Sequence, residues 1–174
     1  PLFICLFPLK HKISKTFIIV TTRFTNETWE KNKMYRLENQ HNGCLYCAPD
    51  PLSLNINKNS IVFVLEMNNE INSIMGIGLI KNIPKINSFQ VYDEKNYNRY
   101  VFMGEYRIDR TEMSKDEETI MKVFDILCFK GNKHMKRGQG LKCFPQEMLF
   151  KMNQKIDLVE FISNMFKKRI KTNT

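Results

Sequence analysis

The chain has 174 residues, enough for one domain with a sizeable core, and 43% of them are apolar, which excludes a disordered chain. It carries 27 Lys and Arg against 18 Asp and Glu, a formal charge of +9 that favours polyanionic partners such as nucleic acid. No apolar run is long enough to span a bilayer, so no membrane partner is expected.

Residues 1–15, PLFICLFPLKHKISK, place an apolar run before a basic one, the reverse of signal-peptide order. They read as an extended arm that packs on a neighbour or on the domain's own sheet. The chain begins on Pro1 rather than Met, as a processed or truncated terminus would. Residues 16–22, TFIIVTT, have strand composition. Thr25, Asn26 and Glu27 then offer a cap for a short helix over 28–33 that contains Trp29, the sole tryptophan. Residues 40–50, QHNGCLYCAPD, read as a loop around a short strand at 44–47, stopped by Pro49 and Pro51.

The stretch 60–81, SIVFVLEMNNEINSIMGIGLIK, is the centre of the expected fold. Two apolar strands, 61–66 and 74–80, flank a polar turn rich in Asn. Gly76 and Gly78 inside the second strand leave space for a backbone, a side chain or a ligand to come close. Residues 89–92 are a candidate short strand. Residues 97–108, YNRYVFMGEYRI, read as a hairpin or a bulged strand whose aromatics share a face. Residues 114–129 give the clearest helix: Ser114 caps, acids at 116–118 suit the positive helix end, and Ile120, Val123, Phe124 and Leu127 form a stripe. Gly131 ends it. Residues 130–142 form a glycine-broken basic loop, 145–152 a short helix, and 156–170 a second helix with Leu158, Phe161, Ile162, Met165 and Phe166 on one side.

The order of these elements, FIIVTTR, a short helix, GCLYCAP and the hairpin SIVFVLEMNNEINSIMGIGLI, resembles the first half of the PUA-like superfamily, especially its YTH and EVE branches. The strings NYNRYVFMGEYRIDR and FKGNKHMKRGQGL resemble an uncharacterised protein family of large nucleocytoplasmic DNA viruses. The first resemblance implies an α+β fold with a curved, mostly antiparallel sheet or partly closed β-barrel and flanking helices. It also implies nucleic-acid binding, often of a modified base in an aromatic pocket. The expected organisation is an N-terminal extension over 1–15, an α+β domain over 16–152, and a basic C-terminal helix and tail over 153–174.

Cys44 and Cys47 have the spacing of metal and redox sites, but Cys128, His134 and Cys143 complete no common zinc module. On a strand the two sulfurs would face opposite ways. No metal and no cofactor is expected, and five cysteines without even spacing point to free thiols in a reducing, intracellular compartment. The loop 131–140 lacks the G-x-x-x-x-G-K-[ST] pattern, and His11, His41 and His134 sit in unlike contexts, so no enzyme is expected. Asp109 and Asp125 read as ion-pair partners. Residues 130–174 hold 11 Lys and Arg against three acids, nearly the whole charge excess. The expected function is non-catalytic binding of nucleic acid, RNA or DNA. Trp29, Cys44, Tyr46, Asn68 and Asn69 would border the base, and Lys133, Lys136, Arg137 and Lys142 would hold the backbone. Tyr97, Tyr100 and Tyr106 are further stacking candidates. The alternative is a structural or docking component of a large assembly, such as a giant-virus particle or a ribonucleoprotein, contacting other proteins through its two ends.

Overall fold

The central hairpin forms as its composition demands. In the computed structural model, which describes residues 18–172, β3 (Ile61–Asn68) pairs antiparallel with β4 (Ser73–Lys81) across a tight turn. Asn68 sets that turn: its Oδ1 accepts from the Glu70 and Ile71 N–H groups, and Asn72 takes a positive φ of 54°. On the far side of β3 lies β1 (Ile18–Phe24), which runs parallel to it. The parallel pairing needs a crossover, supplied by α1 (Asn26–Glu38) and the segment after it. Thr25 caps α1 with a reciprocal box to Thr28.

Two sheets result, and the chain is α+β. The larger has the order β7-β4-β3-β1-β8, with β7 at Tyr106–Asp109 and β8 at Lys142–Cys143. The smaller has the order β2-β6-β5, with β2 at Cys44–Ala48, β6 at Tyr100–Gly104 and β5 at Lys85–Ile86. Among the described residues, every pairing apart from β1 with β3 is antiparallel. The sheets do not close into a barrel, which corrects the partly closed barrel expected from the sequence. The reason lies at residues 100–109. Instead of folding into one hairpin or bulged strand, this stretch gives β6 to the small sheet and β7 to the large one. Gly104 marks the break: a Cβ there would collide with the Leu79 carbonyl oxygen of the other sheet. The strand expected at 89–92 is absent and irregular chain runs there; the short β5 upstream takes the edge position instead.

The larger sheet buries both faces. Ile19, Phe63, Leu65, Met67, Ile77 and Ile108 face α2 (Lys115–Phe129), α3 (Gln146–Asn153) and α4 (Leu158–Thr172). The rings of Phe63 and Phe166 stack at 5.5 Å. Thus α4 shares one core with the sheet. Val20, Val62, Val64 and Ile80 face the small sheet, meeting Cys44, Tyr46, Ala48 and Phe102. The cap expected at Ser114 is present, and Glu117 completes it to a capping box. The buried stripe of α2 runs through Ile120, Met121, Phe124 and Cys128, rotated slightly from the expected one, with Val123 and Leu127 half-buried. The N-terminal arm expected over 1–15 lies outside the described residues. Among the described residues no helix is long and apolar enough to cross a membrane.

Helix α4 is tied to α2 by a two-bonded ion pair, Arg169 Nη1 and Nη2 each donating at 2.8 Å to Glu117. Arg169 holds the Glu117 carboxyl below its usual range. Its stabilising effect is complete above the unfolded pKa of about 4.3 and is lost as pH falls through the lower folded value. Urea unfolding should therefore show stability falling below pH ~4. Glu117→Gln, which keeps the capping geometry, should unfold at lower urea at pH 7 and lose less on going to pH 3.

Candidate ligand clefts around helix α1

Between the two sheets lies a buried charge cluster that composition did not reveal. Glu66 on β3 and Arg107 on β7 reach across β4 and meet above its glycines. Arg107 Nη2 donates to Glu66 Oε2 at 2.7 Å and Nε to Oε1 at 2.9 Å, while Tyr46 Oη donates to the same Oε1 at 2.7 Å. The side chains of Glu66 and Arg107 are 2% and 8% exposed. Burial opposes the Arg107 charge, but the Glu66 carboxylate outweighs it and the guanidinium is held more firmly protonated than usual. Asp109 Oδ2 accepts from Arg107 Nη1 at 2.8 Å. A Cβ on Gly76 would lie 2.7 Å from Glu66 Oε2 and 2.8 Å from Arg107 Nη2, and one on Gly78 would strike the Tyr46 hydroxyl. The space expected beside these glycines is thus filled by side chains of the protein itself.

This places the expected base-binding residues. Tyr46 is 1% exposed and offers no ring face, so the stacking role expected for it does not fit its position. Burial pushes its hydroxyl well above the usual phenol range, so it stays protonated and donates. Cys44 is equally enclosed, and burial, aided by Glu66, pushes its thiol up to about 12. Trp29 is 8% exposed: its ring meets Phe24 edge-on at 5.2 Å and carries the Arg107 guanidinium at 5.3 Å, so one face is already taken. Asn68 is buried and spent on the hairpin turn and on Asn26 Oδ1. Cys44 and Cys47 face opposite ways, into different apolar clusters, as a strand requires. Among the described residues no group of His, Cys, Asp and Glu is arranged to hold a metal ion. Asp109 and Asp125 are ion-pair partners, of Arg107 and Arg110.

Of the five, Asn69 reaches one open cleft and Trp29 borders another. The first, of about 420 Å3, lies where β1 and β3 end and α1 begins. Tyr92 and Tyr97 line it, with Gly138 and Gly140 from the basic loop. Tyr92 was not among the residues expected there. The loop is fastened to the rim. Asn69 Nδ2 donates to the Lys136 carbonyl at 3.0 Å, leaving Asn69 Oδ1 enclosed without a partner. Arg23 Nε donates to the Met135 carbonyl at 2.7 Å. The opposite rim carries Glu27 and Asp93, both paired with Lys31, and Glu94. Of the expected backbone contacts, Lys133 and Arg137 are exposed on the loop and Lys142 on β8; Lys133 lies 3.6 Å from Glu147, and Lys136 donates to Asn72 Oδ1 at 2.8 Å. The terminal cations do not form one patch: Lys167, Lys168 and Lys171 line a separate groove against Ser114 and Asp116. Tyr100 packs into the core cluster between the sheets, and Tyr106 is 40% exposed on edge strand β7.

On the other face of α1 a second cleft, of about 390 Å3, is lined by Trp29, Met75, Arg107 and Asp109 together with the last turns of the helix. Comparison of the chain with protein-family models, curated proteins and solved structures finds no match.

Two outcomes follow from the buried cluster. Arg107→Leu strands the Glu66 charge and should cost about 3–5 kcal/mol, whereas Arg107→Leu with Glu66→Leu and Tyr46→Phe should cost less, by chemical denaturation. Brief alkylation at pH 8 followed by peptide mapping should label exposed Cys143 while Cys44, Cys47 and Cys128, each pushed up to about 12 and buried, stay protected.

Proposed function

We propose that this chain is a non-catalytic nucleic-acid-binding domain of the α+β class, related in type to the PUA-like proteins its element order resembles. In this reading a strand runs along the basic loop, with phosphates held by Lys133, Arg137 and Lys142, and one base enters the cleft between Tyr92, Tyr97 and Asn69. The observation that supports it best is the fastening of the loop to the cleft rim by Asn69 and Arg23. Positive φ at Gly131, Gly138 and Gly140 gives the loop the kind of backbone turn from which N–H groups bind anions. The acidic rim formed by Glu27, Asp93 and Glu94 repels a phosphate backbone, which confines it to the loop side. An intracellular or virion location belongs to the same proposal.

The second reading, a docking component of a larger assembly, is favoured by large apolar side chains left in solvent: Phe150 at 71%, Leu54 at 96%, Ile86 on edge strand β5 and Ile83 just before it.

Fluorescence anisotropy with labelled single- and double-stranded 12-mers, at about 50 and 200 mM salt, tests the first reading. Binding should weaken steeply with salt. Lys133→Gln with Arg137→Gln should reduce the salt slope by about one for each phosphate no longer neutralised, and Tyr97→Ala should weaken single-strand binding by about 1–3 kcal/mol. Absence of binding at the lower salt overturns the reading and leaves the docking role.

A further inference from the structure

The face of α1 that turns away from the basic loop has a charge pattern of its own. Trp29, Lys33, Arg36 and Leu37 stand at i, i+4, i+7 and i+8, one stripe along the helix, and all four line the 390 Å3 cleft. Two cations three residues apart repel each other, and an acid three or four residues away, as Glu30 is from Lys33, can offset that by pairing. Here none is used: among the described residues neither Lys33 nor Arg36 makes an ion pair. Arg36 is nonetheless held in place, by uncharged acceptors. Its Nε donates to Asn32 Oδ1 at 3.1 Å and its Nη1 to the Gly43 carbonyl at 3.1 Å. Asn32 is itself fixed, donating to the Leu45 carbonyl at 2.8 Å. The guanidinium is oriented without being neutralised.

The other charges of the cleft are already matched. Arg107 is paired with Glu66 and Asp109. Asp109 spends Oδ2 on Arg107 and Oδ1 on the Thr111 N–H and hydroxyl, so both its oxygens have donors within the chain. The carbonyls at the negative end of α1 are covered too. Those of Tyr35, Arg36 and Leu37 accept from Asn39, His41 and Gln40. His41 also lines the cleft, its Nε2 at 3.0 Å from the Cys44 carbonyl. What remains open is a pair of cations beside a cavity, with Met75 half-buried and Leu37 62% exposed as apolar flanks.

We propose that this second cleft binds the phosphate dianion of a small phosphomonoester, with Lys33 and Arg36 as its counter-charges and Leu37 and Met75 against the organic group. Two unmatched cations fit a dianion, whereas a single carboxylate leaves one unanswered. The planar guanidinium suits the tetrahedral oxyanion, and the ammonium acts as a point charge beside it. A cleft of this size accommodates a nucleotide-sized molecule.

The sole tryptophan lines this cleft, so its emission reports occupancy directly. The full chain is titrated with inorganic phosphate, a nucleoside 5′-monophosphate and glycerol phosphate, at ionic strength held constant with chloride. Saturable change in Trp29 emission is expected, at least tenfold tighter for the nucleotide than for inorganic phosphate. Lys33→Gln, at an exposed position, should weaken both, and Lys33→Gln with Arg36→Gln should weaken them at least tenfold with the circular dichroism spectrum unchanged. Arg137→Gln on the basic loop should leave these affinities as they are. The Lys33/Arg36 double variant should in turn retain the salt-dependent binding of 12-mers, so the two sites fail or stand separately. No saturable response to any of the three probes, or equal affinity in Lys33→Gln and the wild type, overturns the site. Equal affinity for nucleotide and inorganic phosphate overturns the role given to Leu37 and Met75.

Discussion

The seam between the two sheets is held by a charge pair that water scarcely reaches. Glu66 and Arg107 come from strands on either side of β4, and they can meet only because β4 presents Gly76 and Gly78 to that face. Taking two such charges out of water costs several kcal/mol per ion, and the bonds from Tyr46 and to Asp109 are what make the exchange tolerable. The same cluster also fixes register. A one-residue slip of β7 would turn Arg107 to the helical side, where Ile108 now faces α2, and leave Glu66 alone in an apolar seam. The pair therefore contributes less to net stability than to choosing one arrangement of the sheets.

From this seam outward the molecule is built in layers: helices, large sheet, small sheet, with α1 along the junction. Helix α1 is not an oily helix. Only Trp29 and Asn32 are buried on it, and it is held by particular contacts: the Thr25 box, Trp29 against Phe24 and Arg107, and Asn32 and Arg36 on the carbonyls of Leu45 and Gly43. Most helices are stabilised by an apolar face. A helix that lacks one and is fixed by hydrogen bonds leaves its remaining surface free to line cavities, and both clefts use it.

This also explains what could be read in advance. Helix α2 was legible because Ser114, Glu117 and the apolar stripe agree with one another. The β3–β4 hairpin was legible because two apolar runs flank an Asn-rich turn. Helix α1 was read as 28–33 although it runs Asn26–Glu38, since without an apolar period nothing marked its length. Tyr46 looked like a pocket wall because its partner, Glu66, is 20 residues away and nothing local predicts a carboxylate beneath it. The break between β6 and β7 was hidden because the composition is strand-like throughout; only the close approach of Leu79 to Gly104 forces the corner. The positive C-terminal quarter was counted as one surface, but α4 turns its cations toward the start of α2, while on the loop Lys136 reaches Asn72 and Lys133 reaches Glu147 of α3.

The two faces of α1 differ in one physical respect that decides what each can do. Toward the loop, Lys31 is answered twice, by Glu27 and by Asp93, so the helix itself adds no positive field there and the charge must come from the loop. Toward the seam, Lys33 and Arg36 make no ion pair among the described residues, and the carboxylate that lines the same cleft, Asp109, is already committed to Arg107. Arg107 thus holds the one carboxylate of that cleft lining. The interaction that chooses the sheet register also forms one wall of the second cleft, which Arg107 and Asp109 line beside Lys33 and Arg36.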